Sequence, residues 1–123
     1  MPDQFKRMQP CPSSPNCVSS KADPGPHFIE PLVSATDVAE LILTIKASLE
    51  KDSAFTIVEV EANYLRVEAR TRILRFVDDV EFQIRPGSNV VDMRSGSRVG
   101  YSDLGKNRRR LEAIRNSLVK QGF

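Results

Sequence analysis

At 123 residues, with 40% apolar and 28% charged side chains, the chain has the size and balance of one soluble globular domain with a modest core. No apolar run approaches the roughly 18 residues of a membrane span, and Met1 to Met8 lacks the apolar segment of a secretory signal. As given, the chain therefore reads as cytoplasmic, with a periplasmic or membrane-associated location left open for a trimmed precursor. The net charge of +2 hides an asymmetry, because Arg94 to Phe123 holds eight Lys/Arg against two Asp/Glu; such a basic third suits phosphate or carboxylate groups, or simply forms a solvated helix face.

Residues 1–35 are rich in proline and serine, with six of the eight prolines at or before Pro26. Regular structure is not expected before Thr36. Cys11 and Cys17 close a short loop whose backbone is held by Pro12 and Pro15. The apolar Phe28, Ile29, Leu32 and Val33 argue against a disordered leader. Residues 1–35 are read as an extended tail docked on a domain of residues 36–123.

A helix is expected over about 37–50, with Ser34 or Thr36 as N-cap. Val38, Leu41, Ile42, Ile45 and Leu49 fall on one helical stripe. Four strands follow at about 54–61, 64–70, 73–85 and 90–99, and the short turns between them imply an antiparallel meander. In the third strand Leu74, Phe76, Val80, Phe82 and Ile84 share one face, with Asp78 among them. In the fourth, Val91, Met93, Ser95, Ser97 and Val99 alternate with Asp92, Arg94 and Arg98. A four-residue loop, Pro86-Gly87-Ser88-Asn89, sets Phe82 against Met93, Val80 against Ser95, Asp78 against Ser97, Phe76 against Val99 and Glu81 against Arg94.

The last helix is expected over about 105–120, entered through Ser102 and Asp103, with Asp103 as N-cap. Leu104, Leu111, Ile114 and Leu118 make its buried stripe, and Asn107 projects into it. The fold class is α+β: a four-stranded antiparallel meander with both helices on one face, in the order α-β-β-β-β-α, plus the extended tail.

The run Cys11-Pro12-Ser13-Ser14-Pro15-Asn16-Cys17-Val18-Ser19-Ser20 resembles the N-terminal signature of the family catalogued as domain of unknown function 1499. The segment from Asp23 to Leu32, with His27, Ile29 and Pro31, is similar to that family's next block. Phe76-Val77-Asp78-Asp79-Val80-Glu81-Phe82 and the stretch from Arg94 to Arg110 match its two later motifs. Gly96 replaces an expected alanine, and Lys106 an apolar residue. The resemblance implies an α+β protein of bacterial or plastid type, with many relatives exported or membrane-tethered, and it implies no activity.

Three constellations are candidates for chemistry. Asp78, Ser95, Ser97 and Asn107 should meet at the sheet–helix interface, where a buried carboxylate needs hydrogen-bond partners. They form either a structural network or a ligand or catalytic site. Cys11 and Cys17 suit a disulfide that pins the tail; zinc would need two further ligands beyond the single His27, so no metal or cofactor is assigned. A Cys17–His27 nucleophile pair is the thiol alternative. Arg94 and Arg98 leave one strand face just before the helix N-terminus at Ser102, Asp103 and Arg108, an arrangement that suits an anion unless Arg94 pairs with Glu81 and Arg98 with Asp79.

The reading is a small non-enzymatic binding or scaffold domain with an anion-accepting cleft near Arg98, taking a small anionic ligand or a partner protein. One alternative is a hydrolytic or thiol enzyme using Asp78 or Cys17 with His27. Another is an assembly protein docking a partner through its charged sheet face. Nucleic acid is disfavoured, because no aromatic platform interleaves the basic residues.

Overall fold

The hairpin at the centre of the sheet follows from its alternation. A computed structural model describes residues 8–35, 40–71, 74–100 and 102–123. In it, β5 (Val77–Ile84) and β6 (Val90–Ser97) pair with Asp78 opposite Ser97, Val80 opposite Ser95, Glu81 opposite Arg94 and Phe82 opposite Met93. The Arg85 N–H donates to the Val90 carbonyl at 2.8 Å and closes the four-residue loop, where Gly87 takes φ 67°. This is the register that the sequence pattern requires.

The complete order is β1 (Cys17–Ser19), β2 (Leu32–Val33), α1 (Leu41–Leu49), β3 (Phe55–Glu61), β4 (Tyr64–Arg70), β5, β6 and α2 (Lys106–Lys120). The sheet is antiparallel and six-stranded, not four-stranded: it runs β1-β6-β5-β4-β3, with β2 also on β6. The two extra strands come from the proline-rich tail, where no regular structure is expected. They are too short for an alternation to register, and they exist because the open edge of β6 supplies backbone partners. Cys17 pairs with Gly96, Val18 with Ser95 and Leu32 with Val91.

One core unites these elements. Leu65, Val67, Val80, Phe82, Val91 and Met93 of the strands pack with Leu41, Ile42, Ile45 and Leu49 of α1 and with Leu111, Ile114 and Leu118 of α2. Val18, Ile29 and Leu32 bring the tail into the same cluster. Each such side chain, taken fully out of water, contributes about 1.5–3 kcal/mol, so the tail is part of what holds the fold.

Several element ends differ from expectation. Val38 and the proposed cap Thr36 lie outside the described residues, as does residue 73 of the third strand. Where α1 is described, it follows Glu40 with no side-chain cap. Ser34 is buried, its N–H donates to the Asn89 carbonyl at 3.0 Å, and its carbonyl accepts from Asn89 Nδ2. Its backbone is thereby committed to extending the tail along the sheet.

Leu74 and Phe76 are exposed rather than on the core face. Thr71 and Phe76 close a turn on each other, with Phe76 N–H on Thr71 Oγ1 at 2.8 Å and Thr71 N–H on the Phe76 carbonyl at 2.9 Å. The ladder can therefore begin only at Arg70–Val77. Val99 lies past the end of β6 and is exposed, so the expected Phe76–Val99 pair does not form. Leu104 is 85% exposed because it sits in the turn before α2 at φ 54°, out of helical phase.

Candidate functional site

Asp78, Ser95, Ser97 and Asn107 do meet, and the contacts between them are specific. Asn107 stands in the first turn of α2 and is fully buried. Its Oδ1 accepts from Ser95 Oγ at 2.6 Å and from Arg110 Nη1 at 2.7 Å. Its Nδ2 faces the Asp103 carboxylate at 2.7 Å, Ser97 Oγ at 2.9 Å and the Asn16 carbonyl at 3.1 Å. Two donors on one side and three acceptors on the other fix the orientation of the amide. One side chain thus joins α2, β6 and the residue that precedes β1.

Asp78 lies beside this amide with its side chain only 1% exposed. Arg110 Nη1 is 2.8 Å and Lys106 Nζ 3.0 Å from its Oδ2. Neither carboxylate oxygen receives an aligned hydrogen bond, so the group is neutralised by charge rather than by directed donors. Lys106 and Arg110 are four residues apart and straddle Asn107 on the same side of the helix. The sequence pattern assigns neither Lys106 nor Arg110 a partner. The available signal was the demand of a buried Asp78 for a cation within one helical turn.

Asp103 acts as a capping residue, although the helix proper starts at Lys106. Its carboxylate accepts from Gly105 N–H at 2.8 Å and from Asn107 N–H at 3.0 Å. Burial works against its ionisation, but these donors outweigh it and hold its pKa below the ordinary aspartate value. Ser102 accepts from Leu104 N–H at 3.3 Å. Arg108 turns away and donates to the Pro26 carbonyl at 2.9 Å, while Arg115 donates to the carbonyls of Pro31 and Glu30. Two arginines of α2 thus hold down the tail.

On the opposite sheet face, charges of alternating sign satisfy one another. Arg98 makes a bidentate pair with Asp79, at 2.9 and 2.8 Å, and reaches Glu68 at 2.7 Å. The hydrogen bond from Arg98, opposed by partial burial, lowers the Asp79 pKa, and the two carboxylates raise that of Arg98. Arg94 pairs with Glu81 at 3.3 Å, and Tyr64 donates to the other Glu81 oxygen at 2.6 Å. Asp92 is held by Arg85 and by Ser20 of the tail. Arg94 and Arg98 are therefore brought together with acids, and Arg98 does not join Asn107 and Arg108 in one cleft.

The cysteine loop is closed by a Cys11–Cys17 disulfide with Cα atoms 5.6 Å apart. Both cysteines belong to the tail, so the bond shapes the tail rather than linking it to the rest of the domain. The anchoring is done by β1, by the Ser97 N–H on the Asn16 carbonyl at 2.9 Å, and by Asn16 Nδ2 on the Gly100 carbonyl at 2.6 Å. His27 Nδ1 lies 2.9 Å from the Cys17 carbonyl. A carbonyl only accepts, so Nδ1 carries a proton in this contact. Cys17 Sγ is bonded to sulfur, and His27 reads the backbone of Cys17 rather than its thiol. Among the described residues, no three His, Cys, Asp or Glu gather as a metal site.

Two hollows matter. One of about 370 Å³ beside the cysteine loop is lined by Cys11, Lys21, Asp23 and His27. The other, about 320 Å³, lies between the end of α1, the start of β3 and α2. Its lining includes Leu49, Phe55, Arg110, Ala113, Ile114 and Ser117. Among the described residues, no helix is long and apolar enough to cross a membrane.

These features define a class: a small mixed α+β domain with an antiparallel sheet, a disulfide-closed loop on its edge strand and a buried ionic cluster under the start of its last helix. More particularly, the chain belongs to the family of proteins of unknown function DUF1499, whose profile matches residues 7–118. No curated protein matches the chain.

Proposed function

We propose that the chain is a small non-enzymatic binding domain, a single unit of tail and α+β body with both helices lying over one face of the sheet. The observation that carries this reading is the state of Asp78. A general acid or base must reach the proton that it transfers, whereas this carboxylate is sealed from solvent and neutralised by Lys106 and Arg110. The thiol alternative is equally spent, with Cys17 in a disulfide and only 2% exposed. The polar cluster then serves to seat α2 on β6 and on the tail, and ligand contact falls to the surface hollows.

Native mass spectrometry of the protein purified from its own host tests this reading. A small molecule retained without covalent attachment is the expected result. Hydrolysis of p-nitrophenyl acetate, or exchange of a disulfide substrate, that is abolished by Asp78→Asn or Cys17→Ser would replace binding with catalysis.

A further inference from the structure

We infer that the hollow between α1, α2 and the start of β3 binds a small amphiphilic carboxylate, an apolar body of six to eight carbons with an anionic head on Arg110. The inference rests on the binding-domain reading and gives it a ligand class. Among the described residues Arg110 is the only cation of the hollow's lining; the one acid, Asp52, is exposed, with Oδ1 accepting the Ala54 N–H.

The guanidinium is used on one side alone. Nη1 faces Asp78, Asn107 and Ser95, at 2.8, 2.7 and 3.1 Å. Nε and Nη2 meet no acceptor among the described residues. These two nitrogens form the side edge of the guanidinium, whose parallel N–H bonds match the two oxygens of a carboxylate. The side chain is only 13% exposed, and Asp78, Asn107 and Ser95 hold its plane. The fork is therefore preorganised and poorly hydrated, the condition under which a charged hydrogen bond is strongest. Lys106 and Arg110 also share a single close carboxylate, that of Asp78, so a further anion is electrostatically welcome.

The remaining wall is mostly apolar and of limited length. Leu49, Phe55 and Ile114 supply the sides. Along α2 the lining runs from Arg110 to Ser117, seven residues or roughly 10 Å at ~1.5 Å each. At the far end Gln121 Nε2 donates to Ser48 Oγ at 3.0 Å and to the Ser117 carbonyl at 3.1 Å, bridging the helices. A volume of about 320 Å³ is at the low end for ligand sites, which excludes bulky cofactors and suits a short chain or one ring.

The test is an NMR titration of the intact protein with octanoate, 1-octanol and octylammonium. Octanoate should shift the Leu49, Ala113 and Ile114 resonances saturably, with octanol at least tenfold weaker and octylammonium weaker still. Ala113→Trp, placed at an exposed position of the lining, should cost octanoate at least tenfold while leaving the melting temperature in place. Arg110→Lys keeps the charge beside Asp78 but removes the fork, and should narrow the octanoate–octanol difference. Three results would overturn the inference: no saturable shift, equal affinity for octylammonium, or Ala113→Trp without effect. A host molecule retained in native mass spectra of the wild type and undiminished by Ala113→Trp would overturn this site alone. Catalytic turnover would instead overturn the binding-domain reading beneath it.

Discussion

Replacing Asn107 by leucine tests whether the buried amide is a keystone of the fold. Leucine has the same branched outline of four side-chain heavy atoms, is bulkier rather than smaller, and is a better helix former, so neither a cavity nor propensity opposes the change. What it removes is the hydrogen bonding of a fully buried side chain. Ser95 Oγ keeps a contact with Arg110 at 3.1 Å, and the Asn16 carbonyl keeps the Ser97 N–H. The Asp103 oxygen and the Ser97 hydroxyl lose their amide donor, and Arg110 loses its Oδ1 acceptor. At about 1–3 kcal/mol for each buried group left without a partner, and with partial relief from water at the edge of the cluster, the net loss is about 3 kcal/mol. For a chain of this length that is roughly 10 °C in Tm. Thermal denaturation followed by circular dichroism measures it directly. Asn107→Asp should be at least as damaging, since it sets a second carboxylate against Asp103. A leucine variant that melts within 2 °C of the parent would refute the reasoning.

The other expectations follow from local contacts. A Cys11→Ser/Cys17→Ser variant should keep its fold and lose about 2 kcal/mol, the chain-entropy value for so short a loop, and limited proteolysis should cut within residues 8–15 faster; tail release through residue 35 would contradict the anchoring by Asn16 and β1. Gly96→Ala brings a Cβ to 3.2 Å from Cys17 Sγ and should shift Tm by only a few degrees, whereas Gly96→Val should cost about 1–3 kcal/mol; equal effects would show that the disulfide does not pack there. Asp79 has a pKa depressed by Arg98, so its contribution to stability is full above the unfolded value of ~3.9 and is lost as pH falls through the lower folded value. The Tm difference between the parent and Asp79→Asn should therefore be present at pH 7 and shrink below about pH 4; a difference that persisted at pH 2 would exclude this ion pair as its source.

The hairpin of β5 and β6 was legible because two independent constraints agree: a loop of defined length, and an alternation that fails if slipped by one residue. Asp78 and Asn107 were legible as polar residues in apolar phase. The pattern misled where it was extended past the ladder. Leu74, Phe76 and Val99 continue the alternation in letters, but the Thr71–Phe76 turn and the end of β6 had already redirected the backbone. Leu104 shows the same error in a helix, since 100° periodicity has no meaning for a residue at positive φ. Arg110 and Lys106 were missed because long cationic side chains fold back toward buried acids, a reach that the phase of their Cα atoms does not report. β1 and β2 were hidden for a different reason: strands of three and two residues owe their existence to the edge they join, and nothing in their own letters encodes that edge.

The pairing of the tail with β6 also sets an order of events during synthesis. Cys17 and its partner Gly96 lie 79 positions apart, so the first strand is made long before the edge that receives it. Until then Val18, Ile29 and Leu32 have no core to enter, and an ordinary strand in that position would be free to pair with a neighbouring chain. Prolines on both sides of β1 discourage such pairing, because they remove donors and restrict the backbone. The disulfide spans only six positions and lies wholly within the tail, so it needs no partner from the later chain to bring its ends together. The segment can thus wait in a compact and unpaired shape and dock last. The composition that resembles disorder is what a strand requires if it must remain single until its partner arrives.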